Sequence, residues 1–405
     1  MKSNCEICNK KNLPTVLNLG KHPLCDDLIK IGNKKQNKSF KIEIVFCTRC
    51  ITAYQKYQIP KKRLFPSNYH YRSQFTKDVI KGMESVLNQS KKIIGELKNK
   101  IILDVGCNDG SLLDLYKKNK SITIGIEPTD AADEAKSKGH DIYKAYIDRT
   151  TISKIKKKYK KIDIITFTNV FAHIEDLKSL INNLKTIISK DTVLIVENHY
   201  LGSIIQKRQF DTFYHEHPRT YSLMSFEKIS KMINLNLVKV EFPKRYAGNI
   251  RVIFSKKKPD IKNFKNIINK EKKYFNLLKK LNFEIETWKK NKKKIINKLV
   301  KKYGRLPAKA FPGRAAILIK LLKLDEKYIS GIFEQNKSQK VGYYAPGTRI
   351  PIISDYELRY LNKNIPIINL AWHISGEIKN YLKKIKIKNE VIDILNQKDF
   401  FQWKT

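Results

Sequence analysis

The run Phe213–Arg219 concentrates reactive side chains within a very short segment. Its seven consecutive residues supply two imidazoles, a carboxylate, a phenol and a guanidinium. Neither a helix nor a strand needs such a run for packing, and a core would have to give every one of these groups a partner. The run therefore predicts an active-site loop rather than a structural polar cluster.

Two Cys-x-x-Cys pairs lie near the N-terminus, Cys5 with Cys8 and Cys47 with Cys50, separated by 38 residues. Each pair offers two thiolates from one turn, and together they make the four soft ligands of a tetrahedral zinc site. A redox role is the alternative, which two pairs in one small segment disfavour. We expect structural zinc, because four cysteines leave no open coordination position. The separate Cys25 is predicted to be a buried small residue.

A buried strand at Ile101–Val105 runs into a turn, Gly106–Gly110, before a helix begins at Ser111. The glycines allow the backbone to approach a ligand closely. The spacing is not Gly-x-Gly-x-x-Gly and there is no P-loop lysine, which disfavours a dinucleotide or a triphosphate. A second strand ends at Glu127, where a carboxylate can accept two hydrogen bonds from a ribose diol.

Three histidine-bearing segments are expected at one rim of the sheet. The ranges 169–173 and 197–200 each follow a predicted strand, and the active-site loop comes next along the chain. In open α/β sheets ligands bind beyond the carboxyl ends of the strands. This convergence favours a functional role for His173, whereas for His199 a satisfied structural histidine is the preferred interpretation.

The segment between the cysteine module and the next helix contains Tyr69 and Tyr71. It is interpreted either as a hinge that caps the helix at Ser73 or Thr76, or as a loop whose tyrosine reaches the substrate. The residues leave both alternatives open.

Strand and helix patterns alternate from Ile101 to Glu197 and end in a predicted antiparallel hairpin at Leu237–Phe242 and Asn249–Phe254. Alternation of this kind implies crossover units and a parallel sheet. The predicted fold class is α/β. It has a small four-cysteine zinc module at 1–70, a central class I, Rossmann-like, seven-stranded domain at 71–256, and a C-terminal α/β domain at 257–405.

The strand order resembles that of S-adenosylmethionine (SAM) methyltransferases of the Rossmann-like class. Over nearly its full length the chain resembles the three-domain sugar C-methyltransferases, which act on nucleotide-linked 4-keto-deoxysugars with C-3 methylation as the type reaction. The resemblance rests on several motifs: the two Cys-x-x-Cys pairs, Asp104–Gly110, Asn169–His173, Tyr214–His217, Pro346–Pro351 and Ala371–Trp372.

This resemblance implies that His217 is the general base that removes the proton on the carbon beside the ketone. Tyr214, Glu216 and His173 would position the sugar or stabilise the enolate, and Tyr71 would match the family's N-terminal tyrosine. The implied SAM-binding residues are Asp104, Gly106, Asn108, Asp109, Gly110, Glu127 and Asn169. From the residues themselves, a histidine with an ordinary pKa of about 6.5 suits base catalysis, and Glu216 is a candidate to hold its tautomer.

The C-terminal third departs from the family pattern at two places. Ala247–Asn249 replaces a Gly-Gly-Ser-type turn, and Lys302–Ala310 lacks the usual glycines. We expect the nucleotide sugar between this domain and the core, where Lys309, Arg314 and Arg349 are candidates to meet a diphosphate. These two departures leave open that the protein acts on an unusual substrate or has lost the type activity.

The composition sets limits on the partners. There are 82 Lys+Arg against 38 Asp+Glu, a formal net charge of +44. Because the lysines are spread through the whole chain, we interpret this charge as compositional bias and solvated helix faces rather than a nucleic-acid surface. With neither a signal peptide nor an apolar run of about 20 residues, the expectation is a cytoplasmic monomer without nucleic-acid or membrane partners.

Two other functions compete with sugar C-methylation. A zinc-ribbon RNA methyltransferase would use the charge and the cysteines, but leaves Tyr214–His217 and the C-terminal domain unexplained. A degenerate methyltransferase that acts as a binding protein would fit the altered Lys302–Ala310 segment. The presence of Asp104–Gly110, Glu127 and His217 argues against it.

Overall fold

The structure is a computed structural model of the 405-residue chain. It describes residues 1–67, 69, 71–75, 77–258 and 264–401, with Tyr246 described by its backbone alone. The predicted cap at Thr76 lies outside these residues. Ser73 begins a short 3-10 turn instead, which ends at Phe75.

The N-terminal module is a small antiparallel sheet that carries the cysteine pairs. In β3 the side chains of Ile42, Ile44 and Phe46 are buried, as expected when one face of a strand packs against a core. Its elements are β1 (Thr15–Pro23), β2 (Ile29–Lys30), β3 (Ser39–Cys47), β4 (Thr52–Gln55) and α1 (Lys61–Leu64).

The central domain alternates strands and helices as predicted. Its elements are α2 (Lys77–Ile94), β5 (Ile101–Val105), α3 (Ser111–Lys118), β6 (Ile122–Ile126), α4 (Ala131–Ser137), β7 (Asp141–Tyr143), α5 (Arg149–Lys158), β8 (Ile164–Thr168), α6 (Leu177–Ile187), β9 (Val193–His199), α7 (Leu201–Gln206), β10 (Arg219–Thr220), α8 (Leu223–Met232), β11 (Asn236–Glu241) and β12 (Asn249–Ser255).

Within the described part of the chain, the central sheet has seven strands in the order β11-β12-β9-β8-β5-β6-β7. Strands β5 to β9 are parallel, and the antiparallel β12 lies between β9 and β11. The strand interiors are apolar on both faces because helices cover both sides of the sheet. The predicted Rossmann-like arrangement and its closing hairpin are confirmed.

The C-terminal domain is a second α/β unit. Its elements are α9 (Phe264–Glu271), α10 (Tyr274–Tyr303), β13 (Leu306–Lys309), α11 (Ala315–Leu321), β14 (Ile329–Glu334), β15 (Tyr343–Tyr344), β16 (Pro351–Ser354), β17 (Ile367–Asn369), α12 (Ser375–Lys384) and β18 (Val391–Asp393). One stripe of α10, including Leu278, Ile285 and Trp288, is buried, and its lysines lie mainly outside that stripe. This is the amphipathic pattern expected of a surface helix.

The N-terminal module joins both other sheets. Strand β4 pairs with β10 of the central domain, and β2 pairs with β15 at the edge of the C-terminal sheet. The Arg349 guanidinium also donates to the carbonyl oxygens of Asn33 and Lys34, at 2.6 and 2.9 Å. The module therefore contacts the two domains on either side of the expected substrate cleft.

In the described ranges, the helices all lack the length or the apolar character needed to cross a membrane.

Candidate active site

The four cysteines of the two Cys-x-x-Cys pairs converge at one point. Their Sγ atoms all lie within 4.8 Å of one another, and those of Cys8 and Cys47 are 3.6 Å apart. A tetrahedral zinc ion with Zn–S bonds of about 2.3 Å requires sulfur separations of about 3.8 Å. The amides of Cys8 and Cys50 donate to the Sγ atoms of Cys5 and Cys47, both at 3.4 Å. The donor set therefore fits a structural zinc ion.

Arg219 ties the active-site loop to this cysteine cluster. Its Nε and one terminal nitrogen donate to the two carboxylate oxygens of Glu6, at 2.5 and 2.6 Å. The guanidinium also donates to the carbonyl oxygens of Ile174 and Glu175. Glu6 stands between Cys5 and Cys8, so the fold of the cysteine cluster fixes the end of the loop that carries the histidines.

The candidate cofactor pocket is built at the carboxyl ends of β5 and β6. Burial raises the pKa of Asp104 to about 7, and the Thr166 hydroxyl donates to its carboxylate at 2.6 Å. Glu127 accepts from the Asn108 amide at 3.1 Å and from the Thr129 hydroxyl at 2.6 Å. These contacts hold the Glu127 carboxylate at the end of its strand, where the sequence predicted a ribose partner.

The turn between β5 and α3 depends on left-handed backbone conformations. Gly106 has φ +72°, and an added Cβ would lie 2.4 Å from a methyl carbon of Val170. Gly110 also has a positive φ, +78°, and Asp109 accepts from the Gln74 and Ser111 amides. Glycine is therefore required at the first of these positions for space as well as for conformation.

Asn169 follows β8 with φ +58°, and its side-chain oxygen accepts from the Asn249 amide nitrogen at 3.2 Å. Asn249 also donates to Glu197 at 2.9 Å. Asn249 replaces the family's serine, and its buried amide now holds the predicted cofactor residue. The sequence identified the substitution but not this contact.

Three histidines and a tyrosine form one aromatic cluster, here called the histidine cluster. The ring centroid of His217 lies 4.3 Å from Tyr214, 4.8 Å from His173 and 5.2 Å from His199. The predicted convergence of the three loops is therefore present. His199 was assigned a structural role from sequence, but its ring belongs to this cluster.

Hydrogen bonds fix the orientation of two of these rings. His217 Nδ1 lies 2.8 Å from the Thr212 carbonyl oxygen, and His173 Nδ1 lies 2.7 Å from the Glu216 carbonyl oxygen. Because a carbonyl only accepts, each Nδ1 carries the proton and each Nε2 keeps its lone pair. The suggestion that Glu216 holds the His217 tautomer is wrong, because the neighbouring side chains diverge and the Thr212 carbonyl takes this role.

The histidine cluster favours neutral imidazoles. Burial lowers the pKa of His217 well below its ordinary value, and the nearby His173, His199 and Arg314 lower it further. Burial also lowers the pKa of His173 to about 4. His217 is therefore neutral, with a lone pair on Nε2 that can accept a proton. Its pKa is lower than the ordinary histidine value expected from the sequence, which makes it a weaker base than a free imidazole.

The Glu216 side chain lies apart from His217, among groups from all three domains. It accepts from the Tyr69 hydroxyl at 3.2 Å, and burial raises its pKa well above the ordinary value. The Asp26 charge raises that pKa further, and Lys340 lowers it. Lys340 lies 3.4 Å from Asp26. Sequence reasoning missed Asp26 and Lys340 because neither belongs to a recognisable motif.

The role of Tyr71 stays a prediction. The residue is 39% exposed, and its carbonyl oxygen accepts from the Asn108 side chain at 3.1 Å. The sequence left Tyr69 and Tyr71 as alternatives for the residue that reaches the substrate. Tyr69 donates to Glu216. Cys25 is buried, as predicted.

The three cations expected to meet a diphosphate all have protein partners. Lys309 lies 2.8 Å from Asp355, Arg314 lies 2.6 Å from Asp211, and Arg349 donates to main-chain carbonyls of the N-terminal module. These contacts argue against a diphosphate site built from them. These side chains use their hydrogen-bonding groups to hold segments of the protein together. Residue type alone does not predict such contacts.

A cleft of about 230 Å³ lies between the central and C-terminal domains. Asp78, Lys244, Arg245 and Ala247 line it from the central domain, and the range 373–377 lines it from the C-terminal domain. The lining holds the cations Lys244 and Arg245 and the carboxylates Asp78 and Glu377, and Arg245 lies 3.0 Å from Glu197. Burial lowers the pKa of His373 well below its ordinary value, so this imidazole is neutral. The sequence did not indicate these lining residues.

Three family models match consecutive parts of the chain. The model "Putative zinc binding domain" matches residues 5–65, "Methyltransferase domain" matches 74–240, and "C-methyltransferase C-terminal domain" matches 245–392. The chain is also similar to the C-methyltransferase NovU of Streptomyces niveus, with 24% identity over 62% of this chain and 60% of that protein. The match thus spans less than two thirds of that relative.

Two solved structures are similar to less than half of this chain. Magnesium protoporphyrin IX methyltransferase from Synechocystis, with bound SAM, is 13% identical, with a TM-score of 0.35 over 44% of this chain and 80% of that one. A SAM-dependent methyltransferase from Archaeoglobus fulgidus is 15% identical, with a TM-score of 0.34 over 42% and 93%.

The three family models follow one another in the order of the three structural units. The cysteine cluster lies in the first, the candidate cofactor pocket and the histidine cluster lie in the second, and the cleft is closed by the third. The chain therefore carries matches to a zinc-binding domain, a methyltransferase domain and a C-methyltransferase C-terminal domain, in this order.

Proposed function

We propose that this protein transfers the methyl group of SAM to a carbon beside the ketone of a nucleotide-linked keto-deoxysugar, with C-3 of a 4-keto sugar as the type position. The observation that carries the proposal is the neutral His217, whose Nδ1 is bound to the Thr212 carbonyl and whose Nε2 keeps a lone pair. The similarity to a C-methyltransferase supports the same class of acceptor atom.

The pocket at the ends of β5 and β6 has the donors and acceptors for a nucleoside with an amino-acid tail. Glu127 would accept from the ribose hydroxyls, and the turn Gly106–Gly110 would lie along the tail. Asp104 and Asn169 would face the same ligand from neighbouring strand ends. SAM, when bound, supplies an electrophilic methyl group.

His217 Nε2 would take the proton from the carbon beside the ketone, and the electron pair of that C–H bond would become an enolate. The enolate carbon would then bond to the methyl group that SAM supplies, whose bond to sulfur breaks to leave S-adenosylhomocysteine, and the histidine would later release its proton to water. Tyr214 and His173 adjoin the His217 ring. The Tyr214 hydroxyl would donate to the enolate oxygen, and His173, whose N–H is bound to the Glu216 carbonyl, would position the sugar. This route requires no metal at the reacting carbon.

The cleft between the two larger domains supports a substrate that reaches both of them, as a nucleotide-linked sugar would. Lys244 would face the phosphates. The C-methyltransferase domain model over residues 245–392 also accounts for a region that an RNA methyltransferase leaves unexplained.

The proposal is tested by incubating the protein with SAM and a panel of keto-sugar nucleotides and analysing the products by mass spectrometry. We expect one member of the panel to gain one methyl group on carbon. In thermal-shift measurements, S-adenosylhomocysteine and a nucleoside diphosphate should stabilise the protein additively, and RNA should not. Stabilisation by RNA without any methylated sugar would contradict the proposal.

A further inference from the structure

The Asp211 carboxylate is held by two residues of the C-terminal domain. Arg314 Nε and a terminal nitrogen donate to its two oxygens at 2.8 and 2.6 Å, and Trp372 Nε1 donates to one of them at 2.8 Å. Asp211 is fully buried and Arg314 is 7% exposed. Such a bidentate pair is directional as well as charged, so it fixes the position of the carboxylate.

Asp211 lies in the 3-10 turn Phe210–Thr212, immediately before Thr212. The carbonyl oxygen of Thr212 accepts the Nδ1 proton of His217 at 2.8 Å. The residue whose carboxylate is held by the C-terminal domain therefore immediately precedes the residue whose carbonyl orients the base.

A second contact keeps the turn in place. Gln209 accepts from an Arg314 terminal nitrogen at 3.4 Å and donates to the Ala247 carbonyl at 3.0 Å. Gln209 is 1% exposed, and Thr212 is fully buried. Since both ends of the turn are packed, moving Asp211 would move the Thr212 carbonyl with it.

We propose that Asp211 and Arg314 are positioning residues for His217, so that docking of the C-terminal domain fixes the tautomer and orientation of the base through the Thr212 carbonyl. The chemical role of His217 in this statement rests on the proposed function. The positioning itself does not, because it concerns contacts within the protein.

The test compares Asp211→Asn and Arg314→Lys with a matched control, Arg208→Lys. Arg208 also joins the central domain to the C-terminal domain, through two contacts with Glu284 at 2.8 and 3.3 Å. The control therefore weakens an interdomain arginine–carboxylate pair that does not adjoin Thr212. Trp372→Phe removes a single donor to Asp211 and serves as the mildest variant if the others fail to fold.

The first measurement is heteronuclear NMR of the histidine ring nitrogens, with the His217 signals assigned by their loss in His217→Asn. In the wild type and in Arg208→Lys, we expect the Nδ1–H tautomer of His217. In Asp211→Asn and Arg314→Lys, we expect a mixture of tautomers, with a smaller change in Trp372→Phe. A wild-type tautomer in every folded variant would overturn the proposal.

The second measurement is the rate of solvent deuterium exchange beside the ketone, with dTDP-4-keto-6-deoxyglucose as the probe. Misplacement of the base should lower this rate about a hundredfold in Asp211→Asn, with the KM for the probe nearly unchanged. A rise in KM alone would instead show a binding role and overturn the positioning assignment.

The two measurements separate the two claims. If the wild type shows no exchange with the probe or any other keto-sugar nucleotide, the proposed function fails while the NMR result still decides the positioning. If the wild type exchanges and Asp211→Asn exchanges equally fast, the positioning fails alone.

Discussion

Arg219 and Glu6 form a two-pronged ion pair, at 2.5 and 2.6 Å, that joins the histidine-bearing loop to the first Cys-x-x-Cys pair. The Arg219 side chain is fully buried, and that of Glu6 is 10% exposed. Strand β10 begins at Arg219 and pairs with β4 of the cysteine module, so the ion pair and the strand pairing act at the same place. The cysteine module is therefore held directly against the loop that carries His217.

Removal of zinc is expected to lower both stability and activity. Because metal binding contributes directly to the folding of a four-cysteine module, Cys8→Ser should lower the melting temperature by about 10 °C. Metal analysis and thermal unfolding check this outcome. Cys107→Ser, outside the cluster, should retain its zinc. A zinc-free Cys8→Ser protein with unchanged melting and activity would refute the supporting role.

Breaking the Glu6–Arg219 pair is expected to be costly. Glu6→Gln leaves a buried guanidinium without its charged partner, and we expect a loss of about 3 kcal/mol in the free energy of unfolding. Asp133→Asn removes a partner of the exposed Lys144 and should change stability little. Urea unfolding of both variants measures the difference, and equal losses would argue against a special role for the buried pair.

The buried histidines are expected to make stability fall in acid. Burial lowers the pKa values of His22, His173 and His215 to about 4. As the pH falls, these histidines are protonated in the unfolded chain before they are protonated in the folded protein. The free energy of unfolding is therefore highest above about pH 6.5 and decreases towards pH 4, by at most about 3 kcal/mol for each histidine.

Urea unfolding at pH 7 and pH 5 measures this effect. His22→Gln should reduce the difference between the two pH values by about 2 kcal/mol, because the variant loses one neutral buried imidazole. An identical pH dependence in the variant would show that His22 does not contribute.

The two N-terminal tyrosines are expected to differ. Tyr69 donates to the buried Glu216, whereas Tyr71 is 39% exposed. Tyr69→Phe should lower kcat about tenfold through the loss of one hydrogen bond to a carboxyl group, and Tyr71→Phe should have a smaller effect. Steady-state kinetics of both variants decide between them, and the reverse order would restore Tyr71 to the role implied by the family resemblance.

The features that follow from a local sequence pattern were predicted correctly. The spacing of the cysteines predicted the four-cysteine cluster, and the alternation of strand and helix patterns predicted the central sheet. The two-residue strands β2 and β10 were missed because two residues carry no periodic signal, yet they join the N-terminal module to both other sheets. Their pairing is decided by tertiary contacts.

The sequence predicted which loops form the site, but it did not predict the hydrogen bonds within it. His217 was singled out by its motif, but its orienting partner is a main-chain carbonyl, which every residue possesses. Arg314 was interpreted as a phosphate ligand because its partner Asp211 lies 103 positions away in the chain. Ion pairs between residues far apart in the chain therefore decide which cationic side chains can contact a ligand.

The central claim is that His217 is the base, and solvent deuterium exchange beside the ketone of the nucleotide sugar tests it most directly. The variant is His217→Asn, with S-adenosylhomocysteine binding as the control for an intact cofactor pocket. The account predicts unchanged cofactor binding and no exchange above the uncatalysed rate. Exchange at the wild-type rate in this variant would contradict it.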